Sequence, residues 1–400
     1  MYIRSFTCED IGAYQSSIIP QCADPSGLLP LVMHAPDTHV RKYAKIDLDV
    51  LQIKILTELR AMDLAYDIHH LGKNALLYDY TESYLSLHHI ATSSNRNKVP
   101  RFYQYKSFYN DTNYADVMIS MALKGNGRYE KLFNSKMRTE SIIDTIVQQA
   151  VYMYAMECFW WALEACNDKK KQVSKYDEGV ALLIGSIEGP SIGFADVGDG
   201  QLLYNVANRN CAQFGVCQET FGVADLSLAL MTELNAGKQA IKNFNCSKLE
   251  DHVINIADLV LLPLFQSVIK YALIGEAYPA NELDPVLAKG EVAALSILPI
   301  IDFFNESDAI AVALNMVIEK DIEPVKDGAY AVSEALKGTF HKMNYNCSYM
   351  GNTEHVDVCK FEAAHDKVEI SAQSKSGASV TSKFTWFAFS TMLVGSFFLL

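Results

Sequence analysis

Apolar residues at helical spacing constrain this chain more than any other feature. Leu48, Leu51, Ile55, Leu59, Met62 and Tyr66 recur three and four positions apart and form one stripe. The spacing predicts a single helix along this stripe, stopped at Gly72. Ile143, Val147, Ala150, Tyr154, Cys158 and Trp161 predict a second helix over about 140–166. Residues 255–278, 286–302 and 307–319 read as apolar helices, two of them kinked or bounded by Pro263 and Pro299. Pro20, Pro25, Pro30 and Pro36 keep the first forty residues loop-like. The expected fold is therefore mainly α.

The helices also show an internal echo. Residues 108–123, FYNDTNYADVMISMAL, align without gaps on 303–318, FFNESDAIAVALNMVI. The shared start looks like a helix N-cap, with Thr112 or Ser307 accepting from free N–H groups. A weaker likeness links 46–66 with 254–274. These pairs predict two related helical lobes, 1–220 and 221–370, with a glycine-rich turn region between them and a tail, 371–400. The plainer account of the echo is a recurring helix-start pattern.

That tail is distinctive. Phe384 to Leu400 carries no charged residue, and small polar residues around Ser376-Gly377-Ala378 precede it. Small residues, polar spacer and apolar end form the pattern of a GPI-attachment signal. A tail-end membrane-spanning helix is the alternative, since the stretch is barely long enough to cross a bilayer. The start, MYIRSFTCEDIGAYQSS, has no apolar core of a signal peptide, so the expectation is that the true N-terminus lies upstream or that Met1 is internal.

Nine cysteines without a C-x-x-C or a Cys/His cluster argue against structural zinc. Cys8/Cys22, Cys211/Cys217 and Cys347/Cys359 are close enough in sequence to close short loops, and the odd count leaves one thiol over. Sequons stand at Asn110, Asn245, Asn305 and Asn346. Cysteines, sequons and tail together point to a secretory route and to the cell surface, plasma membrane or periplasmic space. The net charge of −13 excludes nucleic acid as a partner.

No phosphate-binding loop, dinucleotide fingerprint, nucleophile elbow or zinc-protease helix is present, which speaks against an enzyme. The best constellation is Asp63, Tyr66, Asp67 and His70, on one helical face. Carboxylate, phenolate and imidazole there suit a ferric ion; a merely wet face is the plainer reading. His88-His89 and the acid beside Tyr278 are weaker candidates of the same kind.

The segment 178–217 adds a resemblance. Gly185, Ser186, Glu188 and Gly189 give a G-S-x-E-G motif, and Tyr204 follows. Arg209, Cys211, Phe214, Gly215 and Cys217 give an R-C-x-x-F-G-x-C element, with Asn210 inserted after the arginine. This segment resembles the signature region of the algal low-iron-inducible, iron-assimilating surface proteins, the group that includes the phytotransferrins. The resemblance implies capture of Fe³⁺ with (bi)carbonate at the cell surface and uptake by endocytosis. On that reading Tyr66, Asp67, His70, Glu188 and Tyr204 are candidate metal ligands, Arg209 a candidate anion-binding group, and Cys211–Cys217 a clamp after Tyr204. A GPI-linked structural or adhesion glycoprotein without metal is the alternative.

Overall fold

The computed structural model describes residues 31–76, 83–93, 99–189, 199–219, 222–277, 284–320, 323–343 and 347–353. Cys8, Cys22, Asn346, Cys359, Tyr278 and the charge-free tail lie outside them. The fold is mainly α, and among the described residues β-structure is limited to isolated bridges.

The expected first helix is two. Helix α1 (Ile46–Glu58) ends where Arg60 turns left-handed at φ 61°, and α2 (Met62–Leu71) starts afresh. The Arg60 and Ala61 N–H groups bond back to Thr57 and Leu56 carbonyls, closing the end of α1. The break takes Leu59 out of the stripe, leaving it 72% exposed. It turns Ala65, Ile68 and His69 of α2 inward instead. Gly72 does cap α2: its φ is +72°, and a Cβ would come within 2.8 Å of Tyr84 Cβ.

Helices α3 (Leu87–Thr92), α4 (Pro100–Tyr109) and α5 (Tyr114–Lys124) follow. Helix α6 (Ser135–Thr145) passes through a π-helical turn, Ile146–Val151, straight into α7 (Tyr152–Glu164). Next come α8 (Lys169–Ile184), α9 (Leu203–Phe214), α10 (Asp225–Lys242) and the long α11 (Cys246–Ala277). The described helices continue with α12 (Asp284–Phe304), α13 (Glu306–Met316) and α14 (Gly328–Met343). Pro263 and Pro299 sit inside α11 and α12 and end neither. By length and composition α11 could cross a membrane, but 72% of its apolar window is buried in the fold.

Both echoing segments contain a helix start, with different caps. Asn305 caps α13, its Oδ1 accepting from the Ser307 N–H at 3.1 Å, so Ser307 donates rather than accepts. Before α5 the cap position is Asn113, whose N–H bonds to Asp111 Oδ1 at 2.8 Å, and Thr112 takes no part. Helices on both sides of residue 220 contribute to one continuous apolar core. Tyrosines join them across it: Tyr105 and Tyr109 on α4 donate to the Ser296 and Leu295 carbonyls of α12, at 2.6 and 2.5 Å. Burial drives both hydroxyls far above the usual phenol range, so these tyrosines hold the core together as neutral donors.

Cysteine bonding includes a long-range pair that spacing does not suggest. Cys211–Cys217 is bonded, and so is Cys166–Cys246, which joins the end of α7 to the start of α11. Cys347 is also disulfide-bonded. Cys158 is a buried free thiol. Asn110 is an exposed left-handed cap, whereas the Asn245 and Asn305 carbonyl oxygens serve as helix caps.

Candidate metal centre

Three short elements converge beside the N-terminal part of the core. Helix α2 carries His69 on its buried face. The chain returns through a Leu76–Tyr84 bridge into α3, whose Ser86 Oγ caps the His89 N–H at 3.1 Å and presents His88. Asp116 stands in the first turn of α5, where the helix dipole favours a carboxylate. Helix α2 packs on both α3 and α5.

The result is a two-histidine, one-carboxylate cluster. His69 Nε2 and His88 Nδ1 each lie 2.8 Å from Asp116 Oδ1, and the three ligand-bearing atoms fall within 4.8 Å of one another. The His69 side chain is fully buried, that of Asp116 is 14% exposed and that of His88 35%. The pocket therefore opens on the His88 side. Burial lowers the His69 pKa against the pull of Asp116, which keeps its imidazole neutral and able to ligate. For Asp116 burial acts upward, but its bonds to His69 and His88 prevail and hold the carboxyl below its usual range. His69 Nδ1, on the far side of the ring from Asp116, is buried without a partner.

The helical-face pattern points one residue away. His70 and Asp67 are exposed and Tyr66 is half-buried, because the i, i+3, i+4, i+7 set follows the outer face of α2. His69, one position earlier and about 100° round the helix, faces inward. His70 and Tyr66 still border the cluster: their rings stack at 5.7 Å, and His70 lies 4.2 Å from the His88 ring. The Lys124 ammonium sits 4.5 Å from the centre of the Tyr66 ring. Asp116 belongs to the 108–123 segment that echoes 303–318. The echo marks a helix start, and nothing local distinguishes Asp116 as a ligand.

Glu188, Tyr204 and Arg209 form a second cluster. Glu188 and Tyr204 are 5% and 2% exposed, and the nearby carboxylate raises the Tyr204 pKa after burial has done most of the work. Asn205 Nδ2 donates to Glu188 Oε1 at 2.9 Å. Burial lifts Glu188 to about 7. Arg209 is exposed; its carbonyl accepts from Lys270 Nζ at 3.0 Å, and its charge acts on Glu188. The inserted Asn210 ties α9 to α11, its Nδ2 bonding the Pro263 carbonyl at 3.0 Å and Ser267 Oγ at 2.8 Å.

No family model matches this chain, and no curated protein or solved structure matches it.

Proposed function

We propose that this protein is a metal-binding surface protein that captures iron, with His69, His88 and Asp116 as the protein ligands. The observation that carries this reading is the meeting of two imidazole nitrogens and a carboxylate oxygen within 4.8 Å, drawn from three separate helices. Two histidines and one carboxylate with open positions suit iron among the first-row metals. A bound ion would be held by Nε2 of His69 and Nδ1 of His88, with each ring's proton on its other nitrogen. Three protein ligands leave positions where water or (bi)carbonate completes the shell of a ferric ion. The same reading takes the 178–217 segment as its sequence support and the charge-free tail as a surface anchor, followed by endocytic uptake.

Equilibrium dialysis against Fe²⁺, and against Fe³⁺ in bicarbonate buffer at neutral pH, tests it. The parent should bind one ion at the histidine site, and His69→Ala or Asp116→Asn should weaken that binding at least 100-fold. Equal binding by parent and variants would move the metal elsewhere. One observation favours a metal-free structural glycoprotein: Asp116 already accepts from both histidines. That reading prevails if the parent binds neither ion.

A further inference from the structure

We infer that the chain carries a second, all-oxygen cation site, formed by Glu188, Tyr204 and the side-chain carbonyl of Asn205. It would take a hard, oxygen-preferring ion of the Ca²⁺ type, and it stands independently of the histidine cluster. Its first support is a pair of orphaned atoms. Tyr204 Oη and Asn205 Oδ1 are buried without a hydrogen-bond partner, in residues 2% and 1% exposed. Buried polar atoms are rarely left so, and each one costs free energy unless something fills its lone pairs. With Glu188 ionised, as it would be around a cation, Asn205 Nδ2 donates to Glu188 Oε1 at 2.9 Å and the amide oxygen is left over.

The charge balance selects a cation. Glu188 has Asp47 and Asp199 as nearby negative charges, against Arg209 as the nearby positive one. Helix α9 begins at Leu203 and contributes about half a positive charge at its start, too little to reverse the balance. The lone pairs of Asp47 are already taken by Ser186 N–H, Ser186 Oγ–H and Ile187 N–H, so it contributes field rather than a ligand. The donor set of carboxylate, hydroxyl and amide carbonyl is that of hard cations.

The backbone is shaped around the carboxylate. A Cβ at Gly200 would overlap Glu188 Oε1 and reach within 2.9 Å of Asn205 Nδ2. The turn before α9 therefore presses directly on the Glu188 head group, and a larger residue there would push that group away.

Terbium(III) serves as the probe, because it prefers oxygen ligands and its emission is sensitised by a close tyrosine. The full chain should show saturable emission displaced by Ca²⁺. Glu188→Gln and Tyr204→Phe should each weaken binding at least 10-fold, and Tyr204→Phe should also dim the saturated emission. His69→Ala should leave the titration unchanged, which separates this site from the proposed iron site. Circular dichroism melts accompany each variant. If Glu188→Gln has no melting transition, Gly200→Ala replaces it and must weaken binding by a similar factor. Loss of binding in both site variants supports the assignment. It is overturned if the parent shows no saturable emission, if either variant binds like the parent, or if His69→Ala abolishes the signal.

Discussion

Asp47 offers a test in which two substitutions at one position should have opposite effects. The side chain is fully buried in the first turn of α1 and accepts three hydrogen bonds from Ser186 and Ile187. Burial nevertheless wins over those bonds and raises its pKa from 3.8 to about 7. The folded state thus holds this proton to higher pH than the unfolded chain does. Its contribution to stability is fully present below about pH 4 and is lost as pH rises through about 7. At roughly 1.4 kcal/mol per pH unit, ionising Asp47 costs the fold about 4 kcal/mol at pH 8. Asp47→Asn removes that cost and keeps the bonds, because its Oδ1 can accept from both backbone N–H groups while its Nδ2 donates to Ser186 Oγ. It should stabilise the protein at pH 8 by a few kcal/mol and be near neutral at pH 4. Asp47→Ala strands three buried donors, each costing about 1–3 kcal/mol, and should destabilise at both pH values. Urea unfolding of the parent and both variants, at pH 4 and pH 8, measures this. If Asn proves as damaging as Ala at pH 8, the carboxylate charge itself is required and the burial argument is wrong.

Three further outcomes follow from packing and cross-links. Removing Cys166–Cys246 should cost about 4.5 kcal/mol and removing Cys211–Cys217 about 2 kcal/mol in the chain-entropy model, because the first closes a far longer loop; unfolding of the paired serine variants gives the order. Tyr105→Phe leaves the Ser296 carbonyl without its buried donor and should lose about 1–2 kcal/mol in thermal unfolding, whereas the exposed Tyr103→Phe should lose none. Gly179→Ala puts a methyl 3.0 Å from the Phe159 ring at the packed α7–α8 face and should destabilise by about 1–3 kcal/mol; an unchanged melting temperature would show that the ring yields freely.

The helices are legible in the sequence because apolar periodicity is a local property, and α11, α12 and α13 lie close to where the apolar runs put them. The break at Leu59–Ala61 is hidden, since Arg60 has no side-chain feature that announces a left-handed turn. The π-turn at Ile146–Val151 is equally silent in the pattern. At the candidate metal centre His88 is visible in the sequence, while the helical-face pattern selects His70 over His69. An inward-facing histidine within an apolar stripe reads as core, and only its juxtaposition with α3 and α5 gives it chemistry. Of the proposed oxygen site, Glu188 and Tyr204 stand out in the sequence only through the 178–217 segment. Asn205 and the Gly200 contact do not, because both depend on how the turn folds back on Glu188. The bond between Cys166 and Cys246 spans 80 positions, beyond what neighbour spacing can suggest.

That long bond has a topological result. Cys166 and Cys246 close a covalent ring that contains α8, α9 and α10, and with them Glu188, Tyr204 and the small Cys211–Cys217 loop. A protease that cuts once anywhere between 167 and 245 opens the ring without dividing the molecule. The nicked chain would run as one species on a non-reducing gel and as two after reduction. The core helices α7 and α11 would stay fastened to each other through the cut. Such a ring lets the 178–217 segment be clipped while the rest of the protein stays assembled.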